Sequence, residues 1–444
     1  MKRALSKLHA KVGDFWWYSL MIFVACRSGD AIQAFIGLWL VPKYVGPGEL
    51  GAVLPLQQLA GLFSVPLAIL ATVFAKYVNV YATRGEYGKV KGFIRDVLGA
   101  SAALFALCIA GAYLIMPFFY ERLRIVSGSL TALILLCGLT ANIGTIVASA
   151  QQGLKRFKAM SAMSLVSAPI RLVTLLVAMP IRALSGYLLG QATPTATTSI
   201  LSVLDIRNAL RGHAPDTSWR RDLPKIWRFL WPFAICTLVG TFAGTMTATV
   251  YRQRLPEVES AAYYMLTRFS DMVGFVATAV SLILFPLASE AHEQGKENRR
   301  LLVHSVLATL GGSVLLALAF GAVAKPVFSL TETWRPYAPF AHLLPILTVT
   351  AGIGLSSGAI ANYELACRRI GATALLVTLN LLWAGVLVSF AGHNFFLGIF
   401  PASVLDFMRT AHFDRLVNLA WYTLDFQILQ LLALGGLSLR ASRR

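Results

Sequence analysis

Apolar runs of about 18 to 27 residues recur along almost the whole chain, separated by short polar turns. Each is long enough, at about 1.5 Å per residue, to cross a hydrocarbon core of about 30 Å. The pattern predicts an all-α polytopic transmembrane bundle of about 12 spans, at residues 16–42, 50–78, 97–119, 126–150, 157–180, 182–204, 226–250, 261–289, 300–322, 339–363, 370–391 and 416–438. The fifth and sixth spans are divided mainly by Pro180 and Arg182. The half-apolar stretch 392–415 reads as an interfacial or re-entrant piece.

Sliding the sequence by 210 positions lays "VGPGELGAVLPL" (45–56) over "LPEVESAAYYML" (255–266), and "VLGASAALFAL" (97–107) over "VLATLGGSVLL". The identities are few, but span, outer turn, span, inner loop and span stay in register for about sixty residues. The expected organisation is therefore two pseudo-symmetric six-helix lobes, 1–210 and 226–444, joined by a cytoplasmic linker at 211–225. Such parallel repeats place a substrate site where the halves meet, here a central cleft.

Composition agrees with the pattern: 57% of the 444 residues are hydrophobic and 13% charged, with a mean hydropathy of +0.67. The net charge of +19 would suggest nucleic acid in a soluble chain. Its distribution points elsewhere, because 26 of the 39 Lys and Arg lie at the termini and in the even-to-odd loops, against 10 in the alternate loops. That asymmetry predicts a multi-pass protein with both termini cytoplasmic and no nucleic-acid partner. Five cysteines scattered through apolar segments, without a CxxC pair, indicate neither a disulfide framework nor a metal site, and no cofactor is implied. The basic start leads into a segment of full spanning length with no small-residue cleavage site, so the first span reads as an anchor that stays.

Several polar residues fall where lipid is expected. "ACRSGDA" places Arg27 and Asp30 one turn apart on the first span, with Arg27 about 16 Å along the helix if it enters lipid near Trp16. "TRFSDMV" repeats the spacing with Arg268 and Asp271 in the eighth. Two readings are open for each pair: a mutual ion pair that lowers the insertion cost, or a cavity where the arginine meets an anion and the aspartate takes up a cation. The repeat sets Arg268 over Gln58, so the Gln57–Gln58 pair offers amides where the eighth span offers charge. Arg171 in the fifth span has no helical acidic partner and serves either a cavity or a neighbouring carbonyl. Asp425 is the only carboxylate of the last span and a proton or cation candidate.

No G-x-S-x-G, H-E-x-x-H or Walker motif and no large extramembrane domain is visible, so the chain does not read as an enzyme. In "LVPKYVGPGELG", "GEYGKVKGFIRD", "QQGLKRFKAM" and "LFPLASEAHEQGK" the chain resembles the polysaccharide-biosynthesis, O-antigen-type flippases of the multidrug/oligosaccharidyl-lipid/polysaccharide (MOP) exporter superfamily. The resemblance spans about residues 15–390. It implies alternating access and a polyprenyl-diphosphate-linked oligosaccharide moved from the cytoplasmic to the outer leaflet of the bacterial cytoplasmic membrane. It also implies cationic side chains holding the diphosphate, in positions that Arg27 and Arg268 occupy. Arg171, Gln57 and Gln58 join them as candidate substrate ligands, and Asp30, Asp271 and Asp425 are candidates for H+ or Na+ coupling. Membrane lipids and glycan-assembly proteins are the expected partners. The competing readings are a cation-coupled drug or metabolite antiporter of the same superfamily and a membrane glycan polymerase or acyltransferase, the latter needing a catalytic outer loop that only 392–415 offers.

Overall fold

Long stretches of Leu, Val, Ala and Phe interrupted only by Gly, Pro and charged turns leave the backbone one way to satisfy its hydrogen bonds in lipid, which is within each segment. The computed structural model describes residues 29, 31–123, 129–275, 299–367, 370–390 and 415–441, and those residues are helical throughout apart from short turns, with no strand among them. A π-helical turn at Ile36–Leu40 runs into α1 (Val41–Tyr44), followed by α2 (Pro47–Thr83), α3 (Tyr87–Leu123), α4 (Ser129–Gly153), α5 (Phe157–Ala178) and α6 (Ala183–Ala209). The second half holds α7 (Leu223–Arg254), α8 (Glu257–Ser270), α9 (Arg299–Ser329), α10 (Leu344–Ala366), α11 (Gly371–Phe390) and α12 (Leu416–Ala441). The all-α membrane bundle expected from the apolar runs is the fold observed. The stretch 392–414 lies outside the described residues.

The helix boundaries follow local chemistry. α2 stops where Gly85 adopts φ +74° and Glu86 N–H reaches back to the Tyr81 carbonyl at 2.9 Å, a glycine C-cap. α4 ends the same way in "QQGLKRF", with Arg156 N–H on the Gln151 carbonyl at 2.9 Å, but here Lys155 takes the left-handed position at φ 56°. The repeat register is visible in the backbone: α1 and α7 end at Tyr44 and Arg254, and α2 and α8 begin at Pro47 and Glu257, each pair 210 residues apart. α5 and α6 are separate helices, turning across 179–182 around Pro180 as expected.

The internal contacts divide the chain into two compact units. Unit 1 comprises 1–36, 63–117 and 127–231, and unit 2 comprises 37–62, 118–126 and 232–444. In unit 1, α6 packs on α4 and α5, with Gly144 facing Thr195 and Ser199. The segment after α6 lies against unit 1: Trp219 is 6% exposed, its ring 4.8 Å from Phe93. Asp216 N–H donates to the Gly88 carbonyl at 2.9 Å and the Tyr81 hydroxyl donates to Asp222 at 2.9 Å. The basic residues in and flanking this segment, Arg207 at the end of α6, Arg211, Arg220, Arg221 and Lys225 at the start of α7, remain exposed.

Unit 2 is built on α9, α10 and α12. α9 turns Leu307, Leu315 and Leu318 outward at 59%, 70% and 67% exposure, the surface of a lipid-facing helix. The α1–α2 turn belongs to this unit. Arg252, at the end of α7, is 1% exposed and donates to the Gly48 carbonyl. At Gly51 a methyl group would collide with the Ser260 side chain, so only glycine lets the two helices approach this closely.

Candidate functional site

Unit 1 contains a cavity of about 620 Å³ lined by α4, α5, α6 and the described part of the first segment. Each helix contributes one face: Gly144, Thr145, Ala148, Ser149 and Gln152 from α4, Met160, Met163, Ser164, Ser167 and Arg171 from α5, and Thr195, Thr198, Ser199 and Ser202 from α6. The recurring steps of three and four residues are those that stack side chains on one helical face. Gln33 and Gly29 complete the wall. Arg171 is its only charged lining side chain among the described residues. Arg171 Nη1 donates to Gln33 Oε1 at 2.9 Å, and its buried Nε–H has no partner among the described residues. Arg171 thus both lines the cavity and bonds a neighbouring amide carbonyl oxygen.

Below the cavity, Arg156 grips Asp205 in a fork, Nε to Oδ2 at 2.7 Å and Nη2 to Oδ1 at 2.5 Å. Gln151, which also lines the cavity, adds a third bond to Oδ2 at 3.1 Å. These bonds, that from Arg156 first, hold the Asp205 carboxyl below the usual carboxylate range against the opposing effect of burial. Close by in unit 1, hydrogen bonds from Arg220 and Arg95 lower Asp96 in the same way, and burial with the Asp222 bond pushes the Tyr81 phenol up.

A second cluster lies in unit 2. Arg268 Nη2 donates to Gln57 Oε1 at 2.5 Å, and Nη1 pairs with Asp271 Oδ2 at 3.1 Å. Its guanidinium carbon is 5.2 Å from the Tyr264 ring centroid, and the Tyr264 hydroxyl donates to the Gly37 carbonyl at 3.3 Å. Arg268 is 18% exposed and Asp271 54%. The Arg268–Asp271 ion pair, one of the two readings open in the sequence, is formed, and the amide partner is Gln57. Gln58, one residue on, accepts at its backbone carbonyl from the Thr245 hydroxyl at 3.3 Å. Asp425 is exposed on α12, on the same helical face as the exposed Trp421 and Leu429. Arg27 and Asp30 lie outside the described residues.

The cavity's hydroxyl lining was not singled out by the search for charges. Its signal was present in the sequence as Ser164, Ser167 and Arg171 on α5 and Thr195, Thr198, Ser199 and Ser202 on α6, at helical spacing.

Solved structures superpose on nearly the full chain. The MATE transporter VcmN from Vibrio cholerae, as a point mutant, matches with a TM-score of 0.63 at 16% identity, covering 99% of this chain and 98% of that one. An inward closed form of the lipid II flippase MurJ matches with a TM-score of 0.58 at 14% identity, covering 94% and 86%. A MOP superfamily transporter from Pyrococcus furiosus, described as having a binding pocket of reverse polarity, matches at 0.59 and 13% identity, covering 97% of both. The chain has the fold of the MOP transporters. Neither a protein-family model nor a curated protein sequence matches it. At such identities the MOP fold is what is shared.

Proposed function

We propose that the chain is a membrane transporter of the bacterial cytoplasmic membrane that moves a polyprenyl-diphosphate-linked oligosaccharide from the cytoplasmic to the outer leaflet by alternating access. The observation that carries the reading is the unit 1 cavity, whose one described charge is a guanidinium with no carboxylate beside it in the lining. Burying a lone arginine in lipid costs about 2.5–3.5 kcal/mol or more. A chain that bears this cost in a cavity that also presents hydroxyl and amide side chains has a use for fixed positive charge. Guanidinium forks suit the oxygens of carboxylates and phosphates, the anionic groups of such a lipid-linked glycan, better than ammonium groups do; Arg27 and Arg268 are assigned to the diphosphate, with Arg171, Gln57 and Gln58 as further substrate ligands. Asp30, Asp271 and Asp425 are assigned to H+ or Na+ coupling. The fold shared with a lipid II flippase supports the substrate class. In this reading both termini are cytoplasmic, six-helix lobes at 1–210 and 226–444 act as the moving bodies, and the chain is not an enzyme.

The fold shared with MATE transporters favours a second reading, a cation-coupled antiporter. A cationic substrate asks for carboxylates, and the described lining of the unit 1 cavity has none. A membrane glycan polymerase or acyltransferase is the weakest reading, since no catalytic constellation supports it among the described residues.

The test is reconstitution in vesicles with a fluorescent polyprenyl-diphosphate glycan, scored by exposure of the glycan to an added glycosidase. Translocation by the parent chain and a tenfold or greater loss in Arg268→Gln and Arg171→Gln support the proposal. Full translocation by both variants, or gradient-driven efflux of a cationic dye with none of the lipid, sinks it.

A further inference from the structure

The hydrogen bonds inside the unit 1 cavity define the ligand more narrowly than its charge does. A hydroxyl has one proton to donate and two lone pairs to accept with. In the cavity wall that proton is already committed: Thr145 donates to the Ala141 carbonyl at 2.7 Å, Ser149 to Thr145 at 2.8 Å, Thr195 to Gln191 at 3.2 Å, Thr198 to Pro194 at 2.8 Å and Ser199 to Thr195 at 2.6 Å. Such back-bonding to the preceding turn is how hydroxyls are accommodated within helices. What these five side chains still offer a ligand is lone pairs.

These five positions accept, while Ser164, Ser167, Ser202 and the lining glutamine amides can also donate, so a matching ligand brings hydroxyl groups that serve in both directions. Beside them stands the one charged group among the described lining residues, the Arg171 guanidinium, with one amino group on Gln33 and a buried Nε–H facing no acceptor among the described residues. A ligand complementary to both features has several hydroxyl groups and one anionic group. A diphosphate fits poorly, because it has few donors and at least two negative charges, of which one guanidinium compensates only one in a low-dielectric space. A protonated amine is repelled by the arginine. The volume of about 620 Å³ is within the range of about 300–1,000 Å³ typical of small-molecule pockets.

We infer that the unit 1 cavity is a subsite for an acidic sugar, a uronate-type residue of the glycan, with its carboxylate on Arg171 and its hydroxyls donating to the Thr and Ser lining of α4 and α6. This rests on the reading that the chain handles a glycan and assigns Arg171 to the sugar, leaving the lipid diphosphate to the other arginines. It makes glycan charge a determinant of recognition.

The experiment uses the full chain in lipid nanodiscs with its native cysteines replaced and Ala148→Cys as a reporter in the cavity wall. The rate of alkylation by a small thiol reagent is measured with glucuronate, glucose or inorganic pyrophosphate added at matched ionic strength. Glucuronate is expected to slow alkylation about fivefold or more, with glucose and pyrophosphate giving under a twofold effect. Arg171→Gln should abolish the protection and Arg171→Lys retain part of it, which separates recognition from misfolding. Equal protection by glucose and glucuronate, stronger protection by pyrophosphate, or protection that survives Arg171→Gln overturns the inference. Vesicle translocation of the diphosphate-linked lipid, measured in parallel, reads the transport proposal separately. Protection without translocation sinks the flippase reading alone, and translocation without protection sinks the acidic-sugar site alone.

Discussion

Arg171 on α5 bonds the Gln33 amide oxygen at 2.9 Å, and no carboxylate is among the described residues lining its cavity. Arg268 on α8 is held differently, by Gln57 at 2.5 Å and Asp271 at 3.1 Å. The two arginines, alike as intramembrane charges in the sequence, thus differ in how much of their hydrogen-bonding capacity the protein already occupies.

For Arg268 the amide should matter more than the carboxylate. The amide bond is the shorter, 2.5 Å to Gln57 against 3.1 Å to Asp271, and a hydrogen bond to a charged group contributes about 1.5–3 kcal/mol. A double-mutant cycle on stability in detergent should give a larger coupling for Arg268 with Gln57 than for Arg268 with Asp271. Equal or reversed couplings would refute this ordering.

Arg252 should be a stability residue. It is almost fully buried and satisfies the Gly48 carbonyl, so Arg252→Ala leaves a cavity and an orphaned acceptor. The expected cost is roughly 2–4 kcal/mol, read as a lowered Tm of the purified chain. Exposed Arg254, two residues on, should shift Tm little when replaced by alanine.

Asp205 should make the C-terminal end of α6 acid-sensitive. Its carboxyl is held below the ordinary value chiefly by Arg156. The stabilisation is therefore present above the unfolded pKa of about 3.9 and lost as pH falls through that value toward the folded one. Asp205→Asn should lower Tm at pH 7, by about 1 kcal/mol of stability given the partial exposure of the pair. It should also flatten the decline in Tm between about pH 5 and pH 3. A parent and variant with parallel pH profiles would count against this role.

The segment after α6 should be pinned rather than free. Trp219 is buried against Phe93, and the chain at Asp216 passes so close to α3 that a methyl at Gly92 would strike the Asp216 backbone. Trp219→Ala and Gly92→Val should each increase proteolytic cleavage at the exposed arginines 207, 211, 220 and 221 by about tenfold or more, the effect expected from losing over 1.4 kcal/mol of local protection. Unchanged cleavage rates would show that the packing does not restrain this segment.

How much was legible beforehand depended on the range of the interaction involved. Helix positions were readable because spanning length and backbone self-sufficiency are local: the runs predicted at 157–180 and 182–204 appear as α5 at Phe157–Ala178 and α6 at Ala183–Ala209. The register of 210 could be read for the same reason, since it resides in turns such as those before Pro47 and Glu257. The Arg268–Asp271 pair needed only the i, i+3 geometry of one helix.

Partners from distant parts of the chain were decided by the tertiary structure. Arg252 counted as one more loop charge until packing buried it against Gly48. Gln57 was matched by repeat position to the eighth span, and only the folded unit placed it on the Arg268 guanidinium. The cavity around Arg171 needed three helices to turn their hydroxyl faces toward one another. A serine or threonine in a spanning helix can satisfy its own proton on the preceding turn, so it costs little and marks no site until other helices enclose it. The sequence by itself determined the helices and the arginines' depth along them, because those follow from hydrophobic length and helical rise. Which arginine would be paired with a carboxylate and which left lining a cavity was set by packing, because it depends on groups that only the fold brings within hydrogen-bond reach.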